Sequence, residues 1–340
     1  MKKCYAVPGI QIALLFLIGM STVVYGETDY EEVHKPKGWF FSSPAYDNPS
    51  DQLSYAKKLQ NAGKSSSAAR QYKRLVNYWP DAPEAPSAQI EYARILDDRG
   101  KIFDAFEAYK VLLQQYPNHM PYDKILDRMF TLSIDVMHRR KGHFLFFPGF
   151  NVPTRAVPLF EAIVELAPEW ERSPEAQYLV GQAYEAENDW ELAIVAYTTT
   201  LYRYPLSPYA EKAAYARASN LFLLSEESPI DLRRAQEAWA ALTFFINNHP
   251  FSDQLNATKT MRSTIYDRMA LNAYNEALFY DTKTQKTEAA LIAYRRFIQE
   301  FPHSSWTPQA EKRIQELQKI TARNASNPGT PATEYDNDEE

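Results

Sequence analysis

"AIVAYTTTLYRYP", residues Ala193 to Pro205, decides how the rest of the chain is read. An alanine stands twelve residues before a proline, and an aromatic stands eight before it. Alanine and aromatic are four apart, so they share one face of a helix. The small residue lets a neighbouring helix approach, and the aromatic fills the space one turn on. The proline stops the helix, because its ring and its missing N–H cannot continue it. The arrangement occurs six times, once with leucine in place of the aromatic. The prolines are Pro80, Pro117, Pro168, Pro205, Pro250 and Pro302. The alanines are Ala68, Ala105, Ala156, Ala193, Ala238 and Ala290. Eight before each proline stand Tyr72, Tyr109, Phe160, Tyr197, Leu242 and Tyr294.

A partner helix precedes each marked one. In three units a small residue lies twelve before the alanine, at Ala56, Ala93 and Gly181, with Leu59, Leu96 and Tyr184 three further on. This pattern resembles the tetratricopeptide (TPR) repeat of about 34 residues. It covers residues 51 to 302 and implies an all-α fold, a TPR-like α-solenoid of about six helical hairpins. "TPQAEKRIQELQKI" then reads as a C-terminal capping helix with a polar outer face, which a solenoid needs for solubility. Serine or threonine before proline, at Ser173, Ser207, Ser228 and Thr307, is expected to cap the next helix, with proline in its first turn.

Departures from regular spacing mark special segments. Marker prolines are 37 residues apart twice and 51, 45 and 52 apart elsewhere. The excess before Pro250 coincides with "LLSEESPIDLRR", expected as a longer loop. The excess before Pro302 is expected as one long helix from about Asn256 to Tyr280. The excess before Pro168 holds "KGHFLFFPGFNVPT", Lys141 to Thr154, an apolar insertion at one edge of the solenoid. It is too short to cross a bilayer. Its Phe144, Phe146, Phe147 and Phe150 cover neighbouring helix ends, dock a partner, or dip into lipid while Arg139, Arg140 and Lys141 meet headgroups.

Composition agrees with a helical repeat: ten glycines, 22 prolines and 14% aromatic residues suit many abruptly ended helices with ample core. The chain carries a net charge of −6, and no basic stripe suggests nucleic acid. Residues 1–26 read as a signal peptide: Lys2 and Lys3, the apolar run "IALLFLIGMSTVVY", then Val24 and Gly26 before a cut at Glu27. Cleavage leaves 35 basic against 43 acidic residues, a balance of −8, and removes the single cysteine, Cys4. Disulfides, thiolate metal sites and a cysteine nucleophile are then excluded. A lipoprotein needs a cysteine directly after its cut, where Glu27 stands. Residues 27–50, including Trp39, Phe40 and Phe41, read as a linker, 51–322 as the solenoid, and 323–340 as a disordered acidic tail.

Nothing in the sequence points to catalysis, a metal or a cofactor. His34, His119, His138, His143, His249 and His303 are scattered, and no H-E-x-x-H motif, G-x-S-x-G elbow or phosphate-cradling loop is present. A repeat stack has a concave face that binds peptides and partner domains. In TPR geometry the first helix of each pair lines it. The candidates there are Lys57, Gln60, Arg94, Asp97, Gln182 and Glu185.

The last third carries a narrower resemblance. "FINNHPFSDQLNATKTMRSTIYDRMALNAYNEALFY" and "AALIAYRRFIQEFPHSSWTPQAEKRIQELQKI" are similar to the C-terminal half of the BamD (ComL) family of outer-membrane assembly factors. The matching residues are Pro250, Ser252, Asp267, Arg268, Ala270, Phe301, Pro302 and Ser304. The resemblance implies a periplasmic, non-enzymatic scaffold that docks on a BamA-like barrel-inserting subunit and receives unfolded outer-membrane proteins. The long helix, with Arg262, Asp267 and Arg268, would face the barrel subunit, and the concave face the client. Without its own lipid cysteine the chain would reach the outer membrane through partners. The alternative is an envelope TPR adaptor that coordinates peptidoglycan or other cell-envelope complexes.

Overall fold

A computed structural model describes residues 43–119, 121–141 and 150–326. The signal segment, the linker up to residue 42, Phe144, Phe146, Phe147 and the tail beyond Ser326 lie outside the described residues.

Thirteen helices are described, and each packs mainly on its neighbours in sequence. They pair as α1 (Pro49–Asn61) with α2 (Ser65–Tyr78), α3 (Ala85–Asp98) with α4 (Ile102–Gln115), and α5 (Tyr122–His138) with α6 (Val157–Leu166). Then come α7 (Ser173–Glu185) with α8 (Trp190–Arg203), α9 (Pro208–Glu227) with α10 (Leu232–Asn248), and α11 (Leu255–Thr282) with α12 (Thr287–Glu300). The last helix, α13 (Thr307–Ser326), caps the stack on α12. This is the expected TPR-like α-solenoid of six hairpins and a cap.

The marker residues do what their spacing requires. All six alanines are fully buried, and Tyr72, Phe160, Tyr197 and Leu242 are fully buried beside Tyr109 and Tyr294 at 4% and 1% exposure. Each second helix ends two residues before its proline. The residue between, such as Trp79 or Tyr204, takes φ near −131° with positive ψ. That is the extended backbone a following proline enforces.

Some expectations need correction. The loop expected at "LLSEESPIDLRR" is short: α9 runs on to Glu227 and the connection is only residues 228–231. Leu221 and Leu224 are buried, so apolar contacts extend α9 rather than the loop. Ser228 does not open a helix. The cap of α10 is Asp231, whose carboxylate accepts from the N–H of Arg233 and Arg234 at 3.0 and 3.2 Å. The other hydroxyls do not cap either. Ser173 and Thr307 donate backwards, to the carbonyls of Ala167 and Phe301 at 2.6 and 2.8 Å, and so close the turn around the marker proline. Ser207 makes no side-chain cap. Pro208 does occupy the first turn of α9, as expected.

The solenoid starts at Pro49, two residues early, because Asn48 caps α1 by accepting from the Asp51 N–H at 2.8 Å. Its last helix continues to Ser326, past the expected 322. In the third unit Ala156 ends a 3-10 turn, Pro153–Ala156, rather than sitting inside the second helix. Pro158 fits only the first turn, so α6 cannot begin earlier. Ahead of that turn, β1 (Arg140–Lys141) pairs with β2 (Phe150–Asn151), and this two-rung ribbon closes the base of the insertion.

Candidate partner-binding surfaces

The second-helix tyrosines are not only fillers. Four of the six markers carry a hydroxyl, and each donates to a side chain near the end of the preceding first helix. Tyr72 bonds Gln60 at 2.5 Å, Tyr109 bonds Asp97 at 3.2 Å, Tyr197 bonds Glu185, and Tyr294 bonds Asp281 at 3.2 Å. The units marked by Phe160 and Leu242 have no hydroxyl to satisfy. A buried hydroxyl without a partner is costly, so tyrosine and acceptor come as a set.

Three of these acceptors reach the next unit. Gln60 donates to Glu91 on α3 at 2.9 Å. Asp97 takes a two-toothed contact from Arg128 on α5, both bonds at 2.6 Å. Asp281 takes a similar pair from Arg313 on α13 at 2.7 and 2.9 Å. Arg172, just before α7, reaches Asp127 on α5 at 3.9 Å and lies over the Phe130 ring at 3.7 Å. The first-helix face is therefore laced from unit to unit by polar side chains. Of the expected concave-face client contacts, Gln60 and Asp97 are taken up in this lacing, and Glu185 accepts from Tyr197 within its own hairpin. Arg94 pairs within its own helix with Glu91 at 2.9 Å. Lys57 is exposed, and Gln182 is half-buried.

These contacts have a titration consequence. Burial first, and Glu91 second, push the Tyr72 hydroxyl up to about 12. Tyr109, Tyr197 and Tyr294 are also raised, by burial first and then by the carboxylates they face. An unfolded tyrosine ionises near pH 10. Raised folded values mean that the stabilisation is complete below about pH 10 and is lost as pH rises through the folded values; for Tyr72 the window is about 10 to 12. Melting temperature should fall steeply above pH 10. Part of the phenolate absorbance should appear only together with loss of helical circular dichroism. Full phenolate titration in the folded protein would refute the burial argument.

Gln182 lines a groove of about 550 Å³ between α7, α9 and the turn into α11. Its walls include Tyr178, Tyr209, Tyr215, Glu211 and Lys212. Tyr178 lies 5.6 Å from Tyr209 and 5.4 Å from Tyr197, ring centre to ring centre, and the Lys212 ammonium sits 4.9 Å above the Tyr209 ring. Burial raises Tyr178 first, with Glu185 adding to it. The turns beside this groove expose Leu206 at 99% and Phe251 at 97%, each directly after a marker proline. Aromatic walls with mixed polar groups and apolar rim residues suit an extended polypeptide. Tyr209, Tyr215, Leu206 and Phe251 are not among the residues expected from the sequence. Repetition at first-helix positions was the available signal for the tyrosines.

The long helix α11 divides its predicted contacts. Asp267 is exposed. Arg262 is half-buried and makes no ion pair among the described residues. Arg268 turns inward: its guanidinium bonds Glu226, and Ser225 at 2.7 Å, both on α9. With only 16% of its side chain exposed it makes a contact between helices. Phe150 belongs to β2, paired with Lys141. Among the described residues no group of histidine, cysteine and acidic side chains is arranged to hold a metal ion, and no helix is long and apolar enough to cross a membrane.

Fold and lacing together define a tetratricopeptide-repeat scaffold. Residues 56–119 match the tetratricopeptide-repeat family model, and residues 171–327, which hold α7 to α13, match the YfiO family, described as outer membrane lipoprotein. Over residues 171–327 the chain is thus similar to the YfiO (BamD) family and over residues 56–119 to tetratricopeptide-repeat proteins, and both are scaffolding, protein-binding families. Among solved structures the chain is similar to MamA (41-end) from Desulfovibrio magneticus RS-1, with 17% identity, 61% of this chain and 98% of that one covered, and a TM-score of 0.26. It is also similar to the C-terminal part of a TPR repeat-containing protein from Cytophaga hutchinsonii, with 16% identity, 78% and 88% covered, and a TM-score of 0.30. A third is a thermophilic TPR protein of Thermus thermophilus, at 14% identity, 63% and 98% covered, TM-score 0.28. No curated protein matches the chain.

Proposed function

We propose that this protein is a non-enzymatic periplasmic scaffold in outer-membrane β-barrel assembly. It docks on a BamA-like barrel-inserting subunit through α11 and receives unfolded outer-membrane proteins in the tyrosine-walled groove. One observation carries the reading: the groove and the long helix both lie inside the YfiO-matching region, residues 171–327. An unfolded client offers extended chain with alternating aromatic side chains, and the groove offers Tyr178, Tyr209 and Tyr215 beside Gln182 and Lys212. Arg262 and Asp267 remain available on α11 for the barrel subunit, and the protein is held at the outer membrane through such partners.

Two experiments test this. A photo-crosslinker at Asp267 should capture the barrel-inserting subunit in intact envelopes, and one at Tyr209 should capture unfolded barrel precursors. Depleting the protein should lower many outer-membrane barrels together. Recovery of peptidoglycan synthases without the barrel subunit would sink the assembly reading in favour of an envelope adaptor.

A further inference from the structure

A second site lies at the opposite half of the stack and is not used above. Between the start of α4 and the end of α5 there is a cavity of about 270 Å³. Its floor is apolar: Ile102 and Val136 are buried, and Phe103 is 41% exposed. Its rim is basic, with Lys101, Arg139 and Arg155 against one carboxylate, Asp104, which lies 3.6 Å from the Lys101 ammonium. Arg155 holds its guanidinium 5.1 Å from the centre of the Phe103 ring. Neither Arg139 nor Arg155 has an acidic partner among the described residues. Two arginines lining one apolar-floored cavity are notable in a chain of net charge −6. Two further bases, Arg140 and Lys141, continue the run in sequence along β1.

We infer that this edge binds the phosphate of an anionic phospholipid at a bilayer surface. A guanidinium fork matches phosphate oxygens in a planar, two-bond geometry. The apolar floor accepts the glycerol and the upper acyl carbons, which a free anion would leave empty. A bilayer surface presents a sheet of such headgroups, and each charge held near an anionic leaflet adds to binding. The site would orient the scaffold by its N-terminal half, independently of the barrel subunit and of the client groove.

Flotation of the full-length protein with phosphatidylglycerol/phosphatidylcholine vesicles tests this. Binding should be absent with phosphatidylcholine alone and should weaken as salt is raised. Arg139→Gln with Arg155→Gln should weaken binding about thirtyfold. The exposed-charge control Lys283→Gln with Lys319→Gln should leave it unchanged. Arg139→Gln alone, at an exposed position beyond α5, covers the case in which the double variant does not fold. Equal losses in control and test variants would show a diffuse charge effect and overturn the site. Undiminished binding by the arginine variants would overturn it too. If inorganic phosphate alone raises the melting temperature in an Arg139-dependent way while no vesicle binds, the ligand is free phosphate and the lipid assignment fails.

Discussion

Replacing Gly181 by alanine should destabilise the protein by about 3 kcal/mol, although glycine to alanine inside a helix usually stabilises by ~1 kcal/mol. The reason is one aromatic ring. A Cβ on Gly181 would lie 2.4, 2.6 and 2.8 Å from three atoms of the Tyr197 ring. Real carbon contacts do not come this close, so either the ring or α7 must shift. Tyr197 has nowhere to go: it is fully buried, its hydroxyl is tied to Glu185, and Tyr178 lies 5.4 Å from it. Packed interiors resist an added methyl when the neighbour is rigid and enclosed. Urea unfolding of Gly181→Ala, Tyr197→Leu and the double variant measures the effect. In the Leu background the alanine should cost little, giving a coupling of on the order of 2 kcal/mol. A gain in stability for Gly181→Ala alone would show that the ring yields freely.

The second large effect is expected from Asp281→Ala, at about 2–3 kcal/mol. The Asp281 side chain is 6% exposed and joins three helices, α11 by its own backbone, α12 through Tyr294 and α13 through Arg313. Its removal leaves a buried hydroxyl and an arginine without their acceptor. Arg313 is 38% exposed and regains water, so the cost stays at the low end of that for a broken buried pair. Position matters as well. Asp97 makes the same contacts with Tyr109 and Arg128 in the middle of the stack, where neighbours on both sides hold the unit. Asp281 stands next to the cap, and in a repeat array each unit is held only by its neighbours. Hydrogen exchange in α13 should therefore accelerate in Asp281→Ala far more than exchange in α5 does in Asp97→Ala. Equal responses at the two places would contradict this one-dimensional view of the stack.

Much of the fold was legible because it depends on local chemistry repeated in phase. Proline ends a helix wherever it stands, and an alanine and an aromatic four residues apart face the same way. Six copies of that short-range rule placed α2, α4, α8, α10 and α12 with their ends, and missed only the 3-10 start of α6. The polar sites were less legible. A tyrosine with an acceptor twelve or thirteen residues earlier is visible along the chain, at Gln60, Asp97, Glu185 and Asp281. Arg128 and Arg313 complete two of these pairs from the next unit, and nothing local distinguishes them from Arg94 or Arg262. That Asp97 and Arg268, both expected as binding residues, make contacts between helices was not legible for this reason: which charges meet depends on how one hairpin leans on the next.

From the sequence alone, then, came the helical hairpins, their number, their core faces and the kinship of the last third, since each rests on contacts within about a turn or on order along the chain. Tertiary structure alone decided which side of each first helix is consumed in lacing and which is left free. It decided that Tyr178, Tyr209 and Tyr215 share one groove, and that Arg155 lies over Phe103. Those are distances between residues on different hairpins, and they follow from the lean of one unit on another, which no periodicity encodes.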